Sequence, residues 1–282
     1  MKSLKFVFYA LVGVITIFPI LTFAESITNI NGIVISEEEY ENFLKVRSHE
    51  SIMVMDEDDY NKLKSLDYSN VMTETKYIET TYNPSLNLTT ERELTKLEYE
   101  NHGQTNNNAR IPSGGVTYET TAKALMLSVL SGSTYNYTTL TATWKYIPTT
   151  RSFDVIGFMG DGFEFRNGSQ NGEQIYITNG NYTVIDYAWN GTNIKKFDNG
   201  FGISMNIVND DINFLQLFAE CDIKQTTQYG SILGSYQHAI SNVSLANSQN
   251  YTLGSTGLGS VFIYPYSINE KYDGMSGVRI DY

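Results

Sequence analysis

Cysteine is almost missing from this chain: Cys221 is the only one in 282 residues, so no internal disulfide can form. A small disulfide-stapled scaffold is excluded, and the fold must rest on packing and hydrogen bonds. Histidine is nearly as scarce. Only His49, His102 and His238 occur, and His49-Glu50 is never completed to His-Glu-x-x-His. No metal site is expected. Positive charge is in deficit, with 19 Lys and Arg against 31 Asp and Glu, a net charge of −12. That balance opposes binding to nucleic acid or to anionic lipid, because both need a basic footprint. Also missing are a Gly-x-x-x-x-Gly-Lys phosphate loop, a dinucleotide-binding βαβ pattern and a Gly-x-Ser-x-Gly nucleophile elbow. Without them no cofactor is expected.

Long apolar runs are confined to one place. Lys2 and Lys5 are followed by the uncharged, mostly apolar stretch from Phe6 to Phe18, then by Pro19 and by Thr22-Phe23-Ala24. This is the layout of a secretory signal peptide over 1–24, which predicts a secreted, extracellular protein. The alternative is an uncleaved membrane anchor, since Phe6 to Phe23 reaches the roughly 18 residues of a spanning helix. Helix-breaking Pro19, and Ala24 followed by polar Glu25-Ser26, favour cleavage. No cysteine follows for lipid attachment and no second apolar segment appears. Stable membrane insertion after cleavage is therefore not expected.

The acidity belongs to one segment. Residues 25–100 hold 17 acidic and 7 basic side chains, whereas residues 101–282 hold 14 and 10. Within that segment, Ile35-Ser-Glu-Glu-Glu-Tyr-Glu-Asn-Phe-Leu44 is echoed by Met55-Asp-Glu-Asp-Asp-Tyr-Asn-Lys-Leu-Lys64. Ser36 with Glu39 forms a capping box, and Asp56 with Asp59 approximates one. Tyr40, Phe43 and Leu44 then share one helical face, and Tyr60 and Leu63 another. A calcium site at Asp56-Glu-Asp-Asp59 lacks the loop spacing and central glycine of an EF-hand. Residues 25–100 thus read as an acidic module of short helices. Residues 71–82 alternate like a strand, and 91–100 like a short helix. The turn-rich stretch 101–115, full of Asn and Gly, marks a linker and the domain boundary.

From 116 to 282 the pattern has period two. Leu140, Ala142, Trp144 and Tyr146 alternate with Thr139, Thr141, Thr143 and Lys145. Leu215, Leu217, Ala219, Cys221 and Ile223 form a second inward stripe, and Phe201, Ile203, Met205 and Ile207 a third. Asn-Gly pairs at Asn167, Asn171, Asn179, Asn190 and Asn199 separate such runs and are hairpin signals. The expectation is a mainly β fold: an antiparallel β-sandwich, with the jelly roll as one form, preceded by the small acidic α-helical module.

Candidate chemistry centres on two residues. Asp154 lies inside the apolar run Phe153-Asp-Val-Ile-Gly-Phe-Met159 and needs a partner, for which Arg151 is nearest. His238 lies in strand register with Ile232, Tyr236 and Ile240. Both are candidate catalytic residues, and both have an ordinary structural reading. Asp161, Glu164, Asp186, Glu220 and Asp222 supply further carboxylates for a pair that cleaves glycans. The 21 tyrosines offer amphipathic rings suited to sugars or peptides, and also to strands. Tyr135, Tyr137, Tyr182 and Tyr187 are the candidate binding residues.

Thr143-Trp-Lys-Tyr-Ile-Pro-Thr-Thr-Arg-Ser-Phe-Asp-Val-Ile156, Gly234-Ser-Tyr-Gln-His-Ala239 and Asn31-Gly-Ile-Val-Ile-Ser-Glu-Glu-Glu-Tyr40 resemble segments of a group of uncharacterised secreted proteins of Gram-positive bacteria. The resemblance spans most of the mature chain; it implies no activity and assigns no functional residue. The expected function is that of a secreted, non-enzymatic protein binding a cell-surface or other extracellular glycan or protein. Two alternatives stand beside it: a secreted glycan hydrolase with paired carboxylates, and a membrane-damaging toxin or bacteriocin-like protein using hairpins around 134–146.

Overall fold

A computed structural model describes residues 26–83, 86, 88–102, 119–254, 261–274 and 276–282. The expected signal peptide and residues 103–115 of the expected linker lie outside the described residues. Strand occupies 49% and helix 15% of a mainly antiparallel fold whose sheets pack together, with no closed barrel among the described residues.

The chain enters through a small ribbon, β1 (Ile27–Thr28) and β2 (Val34–Ile35), followed by three helices: α1 (Glu37–Phe43), α2 (His49–Val54) and α3 (Glu57–Lys64). Ser36 accepts from the Glu39 amide, and the Glu39 side chain closes the box on the Ser36 amide. Asp56 caps α3 through the Asp59 amide. Acidic residues in the first turns of α1 and α3 sit at the positive ends of the helix dipoles. This explains much of the segment's charge.

Next come β3 (Val71–Asn83), β4 (Leu88–Leu94), α4 (Lys96–Asn101), β5 (Glu119–Leu130), β6 (Asn136–Trp144), β7 (Phe153–Asp161) and β8 (Phe163–Phe165). They are followed by β9 (Asn171–Thr178), β10 (Asn181–Tyr187), β11 (Ile194–Phe197), β12 (Gly200–Asn206), β13 (Phe214–Gln225) and β14 (Ser231–Gln237). The last elements are α5 (Leu245–Ser248), β15 (Thr252–Leu253), β16 (Phe262–Ile263), α6 (Tyr266–Asn269) and β17 (Ser276–Asp281). One sheet of eight strands runs β10-β9-β13-β6-β5-β3-β4, with β8 also paired to β13, and a second of five runs β11-β12-β7-β14-β17. Asn179 and Gly180, at φ 51° and 80°, form the two-residue turn that joins β9 to β10, a conformation suited to Asn and Gly.

One expectation needs correction. The stretch 101–115 does not divide a helical module from the sandwich, because β3 lies between β4 and β5 in the large sheet. The large sheet has eight strands and gains β3 and β4 from the acidic segment.

Inward side chains from both sheets make the main core: Leu125, Leu127 and Val129 of β5, Leu140 and Ala142 of β6, Leu215 to Ile223 of β13, and Ile156, Phe158, Ile203 and Ile232 of the facing sheet. A second core covers the outer face of the five-stranded sheet, where Tyr251, Val261, Phe262, Tyr264 and Tyr272 pack on Val155, Met159 and Leu233. A third lies on the outer face of the large sheet, joining Phe43, Val46, Ile52, Met55 and Leu63 to Leu130 and Tyr137. The molecule is thus four layers deep.

A buried cation fastens the helical layer. Arg47, only 1% exposed, donates from Nη1 to Glu173 on β9 at 2.9 Å, and from Nη2 to Glu220 on β13 at 3.0 Å and Asp59 on α3 at 3.4 Å. Its guanidinium lies 3.9 Å from the Phe218 ring centre. Lys62 reaches Glu220 at 2.8 Å, and the Tyr137 hydroxyl donates to the same carboxylate. Burial opposes ionisation of Glu220, but Arg47 and Lys62 outweigh it and hold its pKa down at about 2. Burial pushes Glu173 up to about 7, only partly offset by Arg47. Arg47→Ala strands these carboxylates and should lower the unfolding free energy by about 3–5 kcal/mol, read from the urea midpoint. A loss typical of an exposed pair, about 1 kcal/mol or less, contradicts this account of the docking.

Candidate functional site

Asp154 and His238, far apart in sequence, come together between the two sheets. Asp154 on β7 is 0% exposed and His238, just beyond β14, is 5% exposed. The Asp154 carboxylate accepts from His238 Nδ1 at 3.0 Å, from the Ala239 amide at 2.9 Å and from the Tyr236 hydroxyl. An ionised carboxylate only accepts, so Nδ1 carries the proton. Trp144 Nε1 donates to the Tyr236 oxygen at 3.0 Å, and the Trp144 ring meets His238 edge-on at 4.9 Å. Lys123, wholly buried, donates to Asp273, whose other oxygen accepts from the His238 amide at 2.9 Å. Burial lowers the pKa of the His238 imidazole, but Asp154 and then Asp273 outweigh it and raise the value.

Arg151 is not the partner of Asp154. It precedes β7 and donates to the carbonyls of Pro148, Val208 and Asp210. His238 meets only a niche of about 10 Å³, lined also by Thr80, Tyr82, Thr121, Thr150 and Ile240. That is room for one water molecule. With every Asp154 contact internal, the pair works as a knot: it joins β7 and β14 to the segment around Tyr272, which bridges to Ala239.

The candidate tyrosines do not form one face. Tyr137 is buried against Glu220, and Tyr187 packs against the core and shares a hydrogen bond with Gln174. Tyr182, five residues before Tyr187 on β10, takes the opposite face, where burial and then Glu50 raise its pKa. The Tyr135 ring lies under the Arg166 guanidinium at 5.4 Å. Among the carboxylates, Glu220 is sealed by Arg47 and Asp222 pairs with Arg166 at 3.1 Å. Of the expected membrane hairpins around 134–146, residues 136–144 are the strand β6, held between β5 and β13 and mostly buried. Among the described residues no three His, Cys, Asp or Glu side chains gather as a metal-binding group. Cys221 is buried, which raises its thiol pKa well above the usual range, and such thiols are inert.

An open concavity of about 350 Å³ lies on the outer face of the five-stranded sheet, lined by Met159, Gly160, Asp161, Asn199, Ser231, Leu233, Leu253, Gly254 and Arg279. Strand parity places its polar groups together. Ser231 on β14 is the cross-strand neighbour of Asp161 on β7 and of Asp281 on β17, and Leu233 lies between Met159 and Arg279. Asn199 enters from the β11–β12 turn, where its carbonyl accepts from the Gly160 amide at 2.8 Å. The side chains of Asp161, Asn199 and Ser231 have no hydrogen-bond or ion-pair partner among the described residues. Arg279 commits only Nε, to Asp281 at 2.6 Å. Of these residues, sequence reading reached only Asp161; the concavity draws on five chain segments, and no motif ties them.

No protein-family model and no curated protein matches the chain. Among solved structures, one described as a pore forming protein is similar at 10% identity and TM-score 0.21, covering 42% of this chain and 74% of its own. The NetB toxin of Clostridium perfringens in its membrane-inserted form is similar at 8% identity and TM-score 0.17, covering 59% and 84%. Likeness this slight bears on neither fold nor activity.

The knot has a pH signature. Because the folded-state pKa of His238 lies above its ordinary value of 6.5, its contribution to stability is full below that value and is lost as pH rises through the raised one. Melting temperature should therefore fall across neutral to mildly alkaline pH, and His238→Gln should flatten this part of the profile. An unchanged profile in the variant contradicts the assignment.

Proposed function

We propose that this chain is a secreted, non-enzymatic protein that binds an extracellular or cell-surface ligand. The observation that carries this reading is the concavity on the outer face of the five-stranded sheet, where a carboxylate, an amide and a hydroxyl lie uncommitted. Polar groups held on rigid strands at an open surface suit recognition. The groups best suited to acid–base chemistry, Asp154 and His238, are spent on internal hydrogen bonds and are sealed from any substrate. A general acid must reach the proton it transfers. The sequence supports export through its amino-terminal charged and apolar pattern, and the acidic surface suits a soluble life outside the cell.

The purified protein should be retained in a saturable way on at least one of bacterial cell walls, immobilised glycans and animal cell surfaces. Absence of retention on all three contradicts the reading. Asp154→Asn should leave retention intact at temperatures where the variant is folded, because the residue is remote from solvent. Loss of retention in a folded Asp154→Asn variant would return the knot to the functional site.

A further inference from the structure

We infer that the concavity between the ends of β7, β14 and β17 is a binding site for a neutral saccharide. The inference rests on the ligand-binding reading above and names its site and ligand class.

Four strands and a turn converge there. Residues 159 and 161 of β7, 231 and 233 of β14, and 279 and 281 of β17 share the parity of Val155, which points away from the main core. Along most of this face the aromatic layer of Tyr251, Phe262, Tyr264 and Tyr272 covers the strands. Leu253 and Gly254 line its edge, and beyond them the outward side chains of Asp161 and Arg279 are exposed.

The polar groups match vicinal hydroxyls: Asp161, Asn199 and Arg279 are exposed, and Ser231, 4% exposed, lies at the floor. The Asp161 carboxylate only accepts, the Asn199 amide both accepts and donates, and the Ser231 hydroxyl does either. The two Nη groups of Arg279 have no partner among the described residues, since only Nε is committed. A sugar hydroxyl donates one hydrogen bond and accepts others, so neighbouring hydroxyls satisfy a carboxylate and an amide or guanidinium together. Half-buried Leu253 supplies aliphatic surface for the C–H face of a pyranose ring, over a floor formed by Met159 and Leu233, which are 7% and 1% exposed.

Charge and edge geometry narrow the class. Asp161 and Asp281 against Arg279 leave a formal charge of −1 at the site, which repels acidic sugars and phosphorylated ligands. An extended peptide would seek an open strand edge. The strand at the centre of the site, β14, is paired on both sides, to β7 and to β17, so it offers no open edge there. The volume of about 350 Å³ lies at the small end for ligand sites and suits one or two sugar rings.

Isothermal titration of the purified protein tests the assignment. The probes are glucose, galactose, mannose, N-acetylglucosamine and their short oligomers, with glucuronic acid and an extended hexapeptide beside them. At least one neutral sugar should bind saturably, and Asp161→Asn and Arg279→Ala should each weaken it about tenfold or more, as loss of a charged hydrogen-bond partner does. Both positions are exposed, so melting temperatures should stay near wild type. Binding of only the acid or the peptide, no binding of any neutral sugar, or equal affinity in both variants overturns the assignment. Retention on cell walls, glycans and cell surfaces separates the two levels. Wild type and Asp161→Asn retained alike leaves a ligand binder with its site elsewhere, whereas no retention of wild type ends the broader reading.

Discussion

The fold depends on a carboxylate that never meets water. Asp154 lies between two sheets with its oxygens filled by the Tyr236 hydroxyl, the His238 imidazole and the Ala239 amide. Left unpaired, such a group would be severely destabilising. Fully satisfied, it fixes where β7 and β14 stand, and through Tyr236 and Trp144 it reaches β6 in the opposite sheet. Lys123 from β5 and Asp273 from the C-terminal segment extend the same network. The outer layer of tyrosines is thereby tied to the sandwich at the residues around Ala239 and Tyr272. A candidate catalytic pair is thus the mechanical junction of three layers.

A second junction of the same kind holds the opposite side. Arg47 takes one carboxylate from a helix and two from the large sheet while stacking on Phe218. In both places a buried charge is matched by several partners from elements distant in sequence. A chain without disulfides gains positional specificity from such clusters, since apolar packing alone tolerates sliding. The cost of that arrangement is sensitivity to pH, set by His238 at one junction and by Glu173 and Glu220 at the other.

Where the sequence carries a local period, the structure follows it. The alternation through Leu140 to Trp144, Phe201 to Met205 and Leu215 to Ile223 became β6, β12 and β13, and Ser36 with Glu39 became a complete capping box. What stayed hidden was long-range pairing. Residues 71–94 looked separable because a turn-rich stretch follows them, yet β3 pairs with β5 along most of its length. Lys123 shares the inward parity of Leu125 and Leu127, so its burial was readable; its partner Asp273 is 150 positions away and was not. Arg47 sits in no periodic element and gave no local sign. The tyrosines misled because a period-two pattern does not say which face will be covered. For Asp154, nearness in sequence suggested Arg151, while β pairing delivered His238.

With Asp154, His238, Glu220 and Tyr137 absorbed into the junctions, the groups proposed for recognition are those at the open end of the five-stranded sheet. Asp161 and Ser231 stand on β7 and β14, which the Asp154 junction fixes, with Arg279 on the neighbouring β17 and Asn199 in the β11–β12 turn; such fixing favours a preorganised site. Backbone amide chemical shifts recorded during titration with a retained polysaccharide test this division of labour most directly. The account predicts shifts confined to 159–161, 199, 231–233, 253–254 and 279, with the resonances around Asp154 and Arg47 unmoved. Shifts centred on His238, on β10 or on the helical layer would contradict it.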